Sequence, residues 1–235
     1  MSFFDQESID QLQSFGSMPR PKIDYSVANL YDAMERLGIG DRLLDPSFRP
    51  LLPHTKLVGT AVTVKVEDCE SSGSYYEEFN RSLEAGKLVA SPVLVAQSPE
   101  TSGLLGSGIA YVIRRHYGFV GAVLEGMRDT DDLVNMKFPC YARTVSPRYQ
   151  AGKLRGVSAN EPVTLGGVTI APGDLIVGDN DGVVAVPRDQ LQRILTAVHE
   201  DLDSELAIFR DIDGGMSYID AANRQVAGRS KSKLQ

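Results

Sequence analysis

The most chemically suggestive string in the chain is an apolar run that ends in glycine and then releases an arginine and several carboxylates: Val123-Leu124-Glu125-Gly126-Met127-Arg128-Asp129-Thr130-Asp131-Asp132. In open α/β sheets, ligands collect at such strand ends. Arg128 offers a planar fork suited to a small carboxylate. Asp129 offers a hard oxygen donor for a divalent cation whose other positions water and substrate oxygens would fill. The same residues also read as a helix start, with Asp129 as N-cap and Asp132 at the third helical position, satisfying free amides and the dipole without any ligand. A second string, Ser102-Gly103-Leu104-Leu105-Gly106-Ser107-Gly108, follows a strand and opens a helix, so its amides suit either an anion or a plain tight turn. It has no Walker A lysine and no well-formed dinucleotide fingerprint, which argues against a nucleotide.

Glu205 is a third clue. At about 100° per residue it falls roughly 40° from the centre of the apolar stripe set by Leu191 and Phe209. Burying that carboxylate alone would cost several kcal/mol, so it should meet a cation or polar site, or lie at a subunit contact, unless the helix end has already left the core. His54, His116 and His199 show no ligand spacing and read as surface or satisfied core residues. Asp179-Asn180-Asp181-Gly182 resembles half of a calcium loop but lacks the later Glu and sits between strands, which favours a hairpin turn.

Alternating strands and helices must position these residues. The spacing Val27, Leu30, Met34, Leu37 predicts a helix stopped by Gly38 and Gly40, and residues 59–66 predict a strand from their β-branched content. A helix over Tyr75–Leu83, a strand over Pro92–Ala96, a helix from the glycine-rich 103–108 to Tyr117, and a strand over Phe119–Leu124 follow. A short helix over Asp129–Met136 and a strand over Cys140–Val145 complete a mostly parallel sheet across residues 55–146. Residues 163–165, 168–170, 175–177 and 183–186 read as short strands between glycine turns, an all-β subregion. A last helix runs from Pro187 through Leu191, Leu195, Val198, Leu202, Leu206 and Phe209. The expected organisation is an N-terminal arm over 1–22, one domain over 23–212, and a tail over 213–235 whose last dozen residues are polar and basic.

The 235 residues carry 42% hydrophobic and 23% charged side chains, the balance of a folded globular chain and not of a disordered or collagen-like one. A net charge of -7 argues against a nucleic-acid surface. The basic cluster Arg114-Arg115-His116 sits where cations complement a helix dipole. Two cysteines, Cys69 and Cys140, supply neither a zinc cage nor a disulfide framework, which fits a reducing cytoplasm. The acidic N-terminus has no secretory pattern, and no apolar window is long enough to span a membrane.

Taken together, Gly59-Thr60-Ala61-Val62-Thr63-Val64, Gly118-Phe119-Val120-Gly121-Ala122-Val123, Gly126-Met127-Arg128-Asp129, Gly166-Gly167-Val168, Pro172-Gly173-Asp174 and residues 178–187 resemble the RraA-like family, over about residues 25–210. That family contains divalent-metal 4-hydroxy-4-methyl-2-oxoglutarate/4-carboxy-4-hydroxy-2-oxoadipate aldolases and a regulator that inhibits a ribonuclease. The resemblance implies an α/β fold of swivelling β/β/α layers, with a mixed, mostly parallel sheet and a C-terminal helix. It also implies a homotrimer or hexamer with sites between subunits.

By the same resemblance Arg128 would hold the pyruvyl carboxylate or oxo oxygen, Asp129 a magnesium or manganese ion, and the amides of Leu104, Leu105 and Gly106 the substrate carboxylate. Glu205 matches the acid that a neighbouring subunit contributes. The aldolases carry an acid, then twenty residues, then Arg-Asp and an acid three further on; Arg128-Asp129 and Asp132 match, but Ser107 stands at the first acid's place. That acid is thought to activate the water that protonates the pyruvate enolate, and Ser107 is a poor base, so the role passes to a water, to Glu205 or to Glu125, or the reaction differs. The family's Pro-Gly-Asp and following loop are also altered, to Ala90-Ser91-Pro92 and Ser98-Pro99-Glu100-Thr101, so the substrate is expected to differ from the standard ones. The expected function is metal-dependent cleavage or decarboxylation of a small 2-oxo acid through a metal-stabilised enolate that yields pyruvate. The alternatives are a non-catalytic regulator, which Ser107 favours and the retained Arg-Asp pair opposes, or a different metal-dependent reaction on a small oxyacid.

Overall fold

The computed structural model describes residues 25–70, 73–149 and 152–232; the expected arm over 1–22 lies outside them. Helix α1 (Val27–Arg36) begins with a capping box between Ser26 and Asn29 and buries Val27, Leu30, Ala33 and Met34. The main sheet has the order β1-β5-β4-β3-β2-β9-β10. It comprises β1 (Arg49–Pro50), β2 (Leu57–Asp68), β3 (Pro92–Gln97), β4 (Gly121–Met127), β5 (Cys140–Val145), β9 (Leu175–Gly178) and β10 (Val183–Val186), with β6 (Leu154–Ala159) added on β2. Strands β2 to β5 run parallel, and β1, β6, β9 and β10 join antiparallel. This is the expected mixed α/β architecture, with its parallel part where the sequence placed it.

Between the parallel strands lie α2 (Tyr76–Gly86), α3 (Ser107–Tyr117) and the short α4 (Thr130–Asn135). They cover one face through Phe79, Leu83, Ala110, Ile113 and Leu133 against Val64, Leu94 and Leu124. The opposite face packs Val93, Val95, Val123 and Tyr141 against the β7 (Val163–Leu165) and β8 (Val168–Ile170) hairpin. A third cluster joins α1 and the long α5 (Leu191–Asp213) to β9 and β10. Because β3 and β4 are covered on both faces, they read as continuous apolar runs.

One strand boundary differs from the sequence expectation, and two elements stand beyond it. The strand expected at Phe119–Leu124 lies at Gly121–Met127, because Gly118 turns left-handed (φ 75°) and Phe119 packs into the core ahead of the strand, which pairs with β5 as far as Met127–Val145. Strand β6 forms on β2 although Gly156 and Ser158 leave it no β-branched run. Within the tail expected over 213–235, α6 (Tyr218–Ser232) packs back on α5 and buries Ala221 completely.

Polar staples hold the junctions. Arg42 donates to Asp174, Ala185 and Thr169, each at 2.9 Å, and Asp174 also accepts the amides of Ala171 and Arg188. Burial pushes the Asp174 carboxyl up against these favourable contacts. Residues 179–182 form the β9–β10 turn, as expected. The Asp179 carboxylate holds this turn and reaches beyond it, accepting the Asp181 amide at 2.8 Å and the Val27 amide at 2.9 Å. Asp179→Ala should therefore uncap both the turn and α1, at a cost of about 1–2 kcal/mol; unchanged stability in urea denaturation would refute that role.

Candidate functional site at the end of strand β4

The loop before α3 is stitched to the end of β4. Leu104 donates its amide to the Gly126 carbonyl at 3.1 Å, Arg128 donates to the Leu105 carbonyl at 2.8 Å, and Ser146 donates to the Met127 carbonyl at 2.9 Å. Gly126 is required by this approach, since a Cβ there would sit 2.1 Å from the Ser102 carbonyl oxygen. At Gly106 a Cβ would meet Asp129 Oδ2 at 2.5 Å and displace that carboxylate, so glycine leaves it room to reach the start of α3. The stitching delivers the N-terminus of α3 to the residues that leave β4.

Asp129 takes a left-handed backbone conformation (φ 54°, ψ 42°), uncommon outside glycine and tolerated best by Asp and Asn. It stands at the start of α4 but makes no side-chain cap there. Its carboxylate turns to α3 instead: Oδ2 accepts the Ser107 amide at 3.1 Å and lies 3.4 Å from the Ser107 hydroxyl, and Oδ1 accepts from Arg128 Nε at 3.0 Å. The guanidinium and these donors hold the Asp129 carboxyl below the usual range, so it is an anion at neutral pH. The capping alternative is thus realised on a different helix from the one the sequence pointed to.

With Nε committed to Asp129, the two Nη groups of Arg128 stay open, among the described residues, to another partner, and its guanidinium lies 5.6 Å from the Tyr149 ring centroid. Arg128, Asp129, Gly103, Leu104, Gly106 and Tyr149 help line a cavity of about 300 Å³. Tyr75 closes one side, buried enough that its phenol is pushed up to about 12 and stays protonated. On the other flank, Arg128 and Asp129 border a second hollow of about 410 Å³ that takes in Asp131 and Asp132.

The expected site residues divide clearly. Arg128, Asp129, Ser107, Leu104, Leu105 and Gly106 are brought together, although the Leu104 amide is already engaged by Gly126. Glu205 is exposed and lies elsewhere, in a cleft with Asn29, Asp32, Arg36 and Asp201 between α1 and α5. Leu206 and Phe209 beside it are only half-buried, so the apolar stripe has left the chain's own core there. Glu125 alternates onto the opposite sheet face, where it is buried 3.0 Å from Arg143 Nε and burial pushes its carboxyl up. It does not share the Arg128 cavity. His199 is 2.7 Å from the Tyr25 hydroxyl, and His54 contacts Asn180. Sequence reasoning missed Tyr75 and Tyr149, because nothing in residue spacing reveals which distant loops overhang a strand end.

Among the described residues no group of three His, Cys, Asp or Glu is gathered as a metal cage. Asp129 by itself suits a hard cation that keeps most of its waters: it is ionised, a third exposed, and borders both hollows. No helix among the described residues is long and apolar enough to cross a membrane.

Residues 27–185 match the RraA-like model, described as Aldolase/RraA. An uncharacterised protein of Methanocaldococcus jannaschii is 32% identical over 85% of this chain and 91% of its own length. A protein of Halalkalibacterium halodurans, whose name assigns it provisionally as a 4-hydroxy-4-methyl-2-oxoglutarate aldolase, is 30% identical over 81% of this chain and 82% of its own. Among solved structures, an RraA protein of Streptomyces coelicolor, described as an unusual member of a ribonuclease ES inhibitor family, superposes with a TM-score of 0.72 at 25% identity, covering 88% of this chain and 98% of that one. With its parallel sheet, its stitched β4 end and a family match across two-thirds of its length, the chain belongs to the RraA-like family.

Proposed function

We propose that the chain is a divalent-metal-dependent lyase acting on a 2-oxo acid and releasing pyruvate. The observation that carries this reading is the Arg128–Asp129 pair, held by Ser107 at the mouth of a cavity beyond β4. Retro-aldol cleavage of a 4-hydroxy-2-oxo acid breaks the C3–C4 bond. The C4 hydroxyl gives up its proton to become the carbonyl of the departing product, the bonding pair stays on C3 as the pyruvate enolate, and a proton returned to C3 completes pyruvate. Decarboxylation of oxaloacetate releases carbon dioxide and leaves the same enolate.

Each residue's part follows from its geometry. The Nη edge of Arg128 binds the substrate carboxylate or oxo oxygen, and its bond to Asp129 fixes the guanidinium plane beforehand. Asp129 would hold magnesium or manganese, whose charge lowers the energy of the enolate anion when bound. The amides of Leu105 and Gly106, at the positive end of α3, add to the anion-binding field. Tyr75 excludes water from one side and, as a protonated phenol, can donate but not abstract a proton.

Among the described residues lining the cavity, Asp129 is the single carboxylate, and its lowered pKa makes it a weak base. With Ser107 in the acid's place, proton transfer falls to water or to Glu205 of a neighbouring chain in a homotrimer or hexamer. The exposed position of Glu205, beside a half-buried apolar stripe, supports the second route. Ser107 is also the feature that favours a regulatory protein without catalysis.

Arg128→Ala should reduce pyruvate release from oxaloacetate and 4-hydroxy-4-methyl-2-oxoglutarate by about 100-fold or more, and chelator should abolish the wild-type rate; chelator-insensitive release would overturn the metal role. Asp129→Asn keeps the left-handed backbone that Asn tolerates, so calorimetry should find weaker magnesium or manganese binding with the thermal transition retained. Unchanged affinity would remove Asp129 as ligand, and no metal binding by the wild type would favour the regulator. A structure of the assembled protein should place Glu205 within reach of another chain's Arg128; Glu205 in bulk solvent would sink that assignment.

A further inference from the structure

The cavity at Arg128 does not end at α3. Tyr75, Gly108 and Ile109 line it and also line a larger groove of about 560 Å³ that runs between α2 and α3. The rest of that groove is mostly apolar, formed chiefly by Tyr76, Phe79, Leu83, Val112 and Tyr117, with Asn80 as its neutral polar member. Among the described residues no charged side chain lines it. Lys87, which lies over the Tyr117 ring at 4.6 Å, is already paired with Glu84 at 2.9 Å. Tyr76 is 62% exposed and Val112 41%, so this surface stays wet unless something covers it.

A ligand anchored on Arg128 therefore meets charge at one end and hydrocarbon at the other. A second carboxylate on its far end would exchange part of its water for apolar side chains, with no cation among the described lining residues to receive it. An aromatic or branched apolar group gains there by leaving water. We infer that the substrate of the Arg128 site is a 2-oxo acid whose far end is apolar and of about aromatic size, seated in the groove between α2 and α3. The inference rests on the reading of that site as one for a 2-oxo acid.

Two positions allow a clean test. A Cβ at Gly108 meets nothing within 4 Å, and its backbone is not left-handed, so Gly108→Leu fits the helix and fills the junction between the two spaces. Val112→Asp places a charge in the groove at an exposed helix position. Calorimetry on the full chain with magnesium would compare pyruvate with 4-phenyl-2-oxobutanoate. The wild type should bind the phenyl acid about tenfold more tightly or better, and each substitution should remove most of that preference. Cleavage of 4-hydroxy-2-oxo-4-phenylbutanoate to pyruvate and benzaldehyde should outpace cleavage of 4-hydroxy-4-methyl-2-oxoglutarate. Equal affinity for pyruvate and the phenyl acid would overturn the apolar subsite while leaving the 2-oxo-acid reading intact; failure to bind either would overturn both. A fall in oligomeric mass on Val112→Asp, with the preference unmoved, would assign the groove to a second copy of the chain instead.

Discussion

A short backbone pairing, permitted by Gly126, governs the geometry of the candidate site. The end of β4 and the loop before α3 approach so closely that residue 126 has no room for a Cβ, and the exchanged bonds between Leu104, Leu105, Gly126 and Arg128 extend the sheet by one rung beyond its strands. That rung sets the distance between the N-terminus of α3 and Asp129. Once it is formed, the carboxylate that meets those amides is the one that leaves β4 in a left-handed turn, and Arg128 is drawn to it as a neighbour. The cost of an unusual backbone conformation at Asp129 is offset by three donors on its carboxylate.

The rest of the molecule holds that junction still. Strand β2 pairs with β3 along one edge and with β9 and then β6 along the other, with a register shift between Lys65 and Val66 inside the β6 pairing. Its neighbours β3 and β4 are sealed on both faces, so their ends cannot drift without exposing core. Charges that enter this interior are paired: Glu125 with Arg143 on the hairpin side, Asp174 with Arg42 beneath β10. Such pairs return little net stability, because desolvation opposes the attraction, but removing one partner leaves the other stranded. They specify arrangement more than they add to stability, and Glu125 stays on the face away from the Arg128 cavity.

Within the RraA-like family the same scaffold carries both names of aldolases and names of ribonuclease inhibitors. This chain keeps the Arg-Asp pair and puts a serine where the resemblance predicts an acid. The serine is not idle, since its amide and hydroxyl both face Asp129 and help to keep that carboxylate ionised. An acid at that position would instead set a second negative charge against the first. The serine therefore leaves Asp129 as a better-held anion than a neighbouring acid would.

The sequence by itself determined the order of elements, the parallel centre of the sheet, the hairpin turn at residues 179–182 and the family, because apolar periodicity, glycine turns and ordered motifs are local or linear properties. It also singled out Arg128 and Asp129 as the residues released by a buried strand. Tertiary structure alone decided what those residues touch. That Asp129 would cap α3 and not its own helix, that Glu125 would turn to the far face, and that Tyr75 and Tyr149 would wall the cavity all depend on contacts between segments far apart in the chain. The polar C-terminal helix and β6 were illegible for the same reason: α6 forms against α5 and β6 against β2, and each is stabilised by its partner more than by any preference of its own residues.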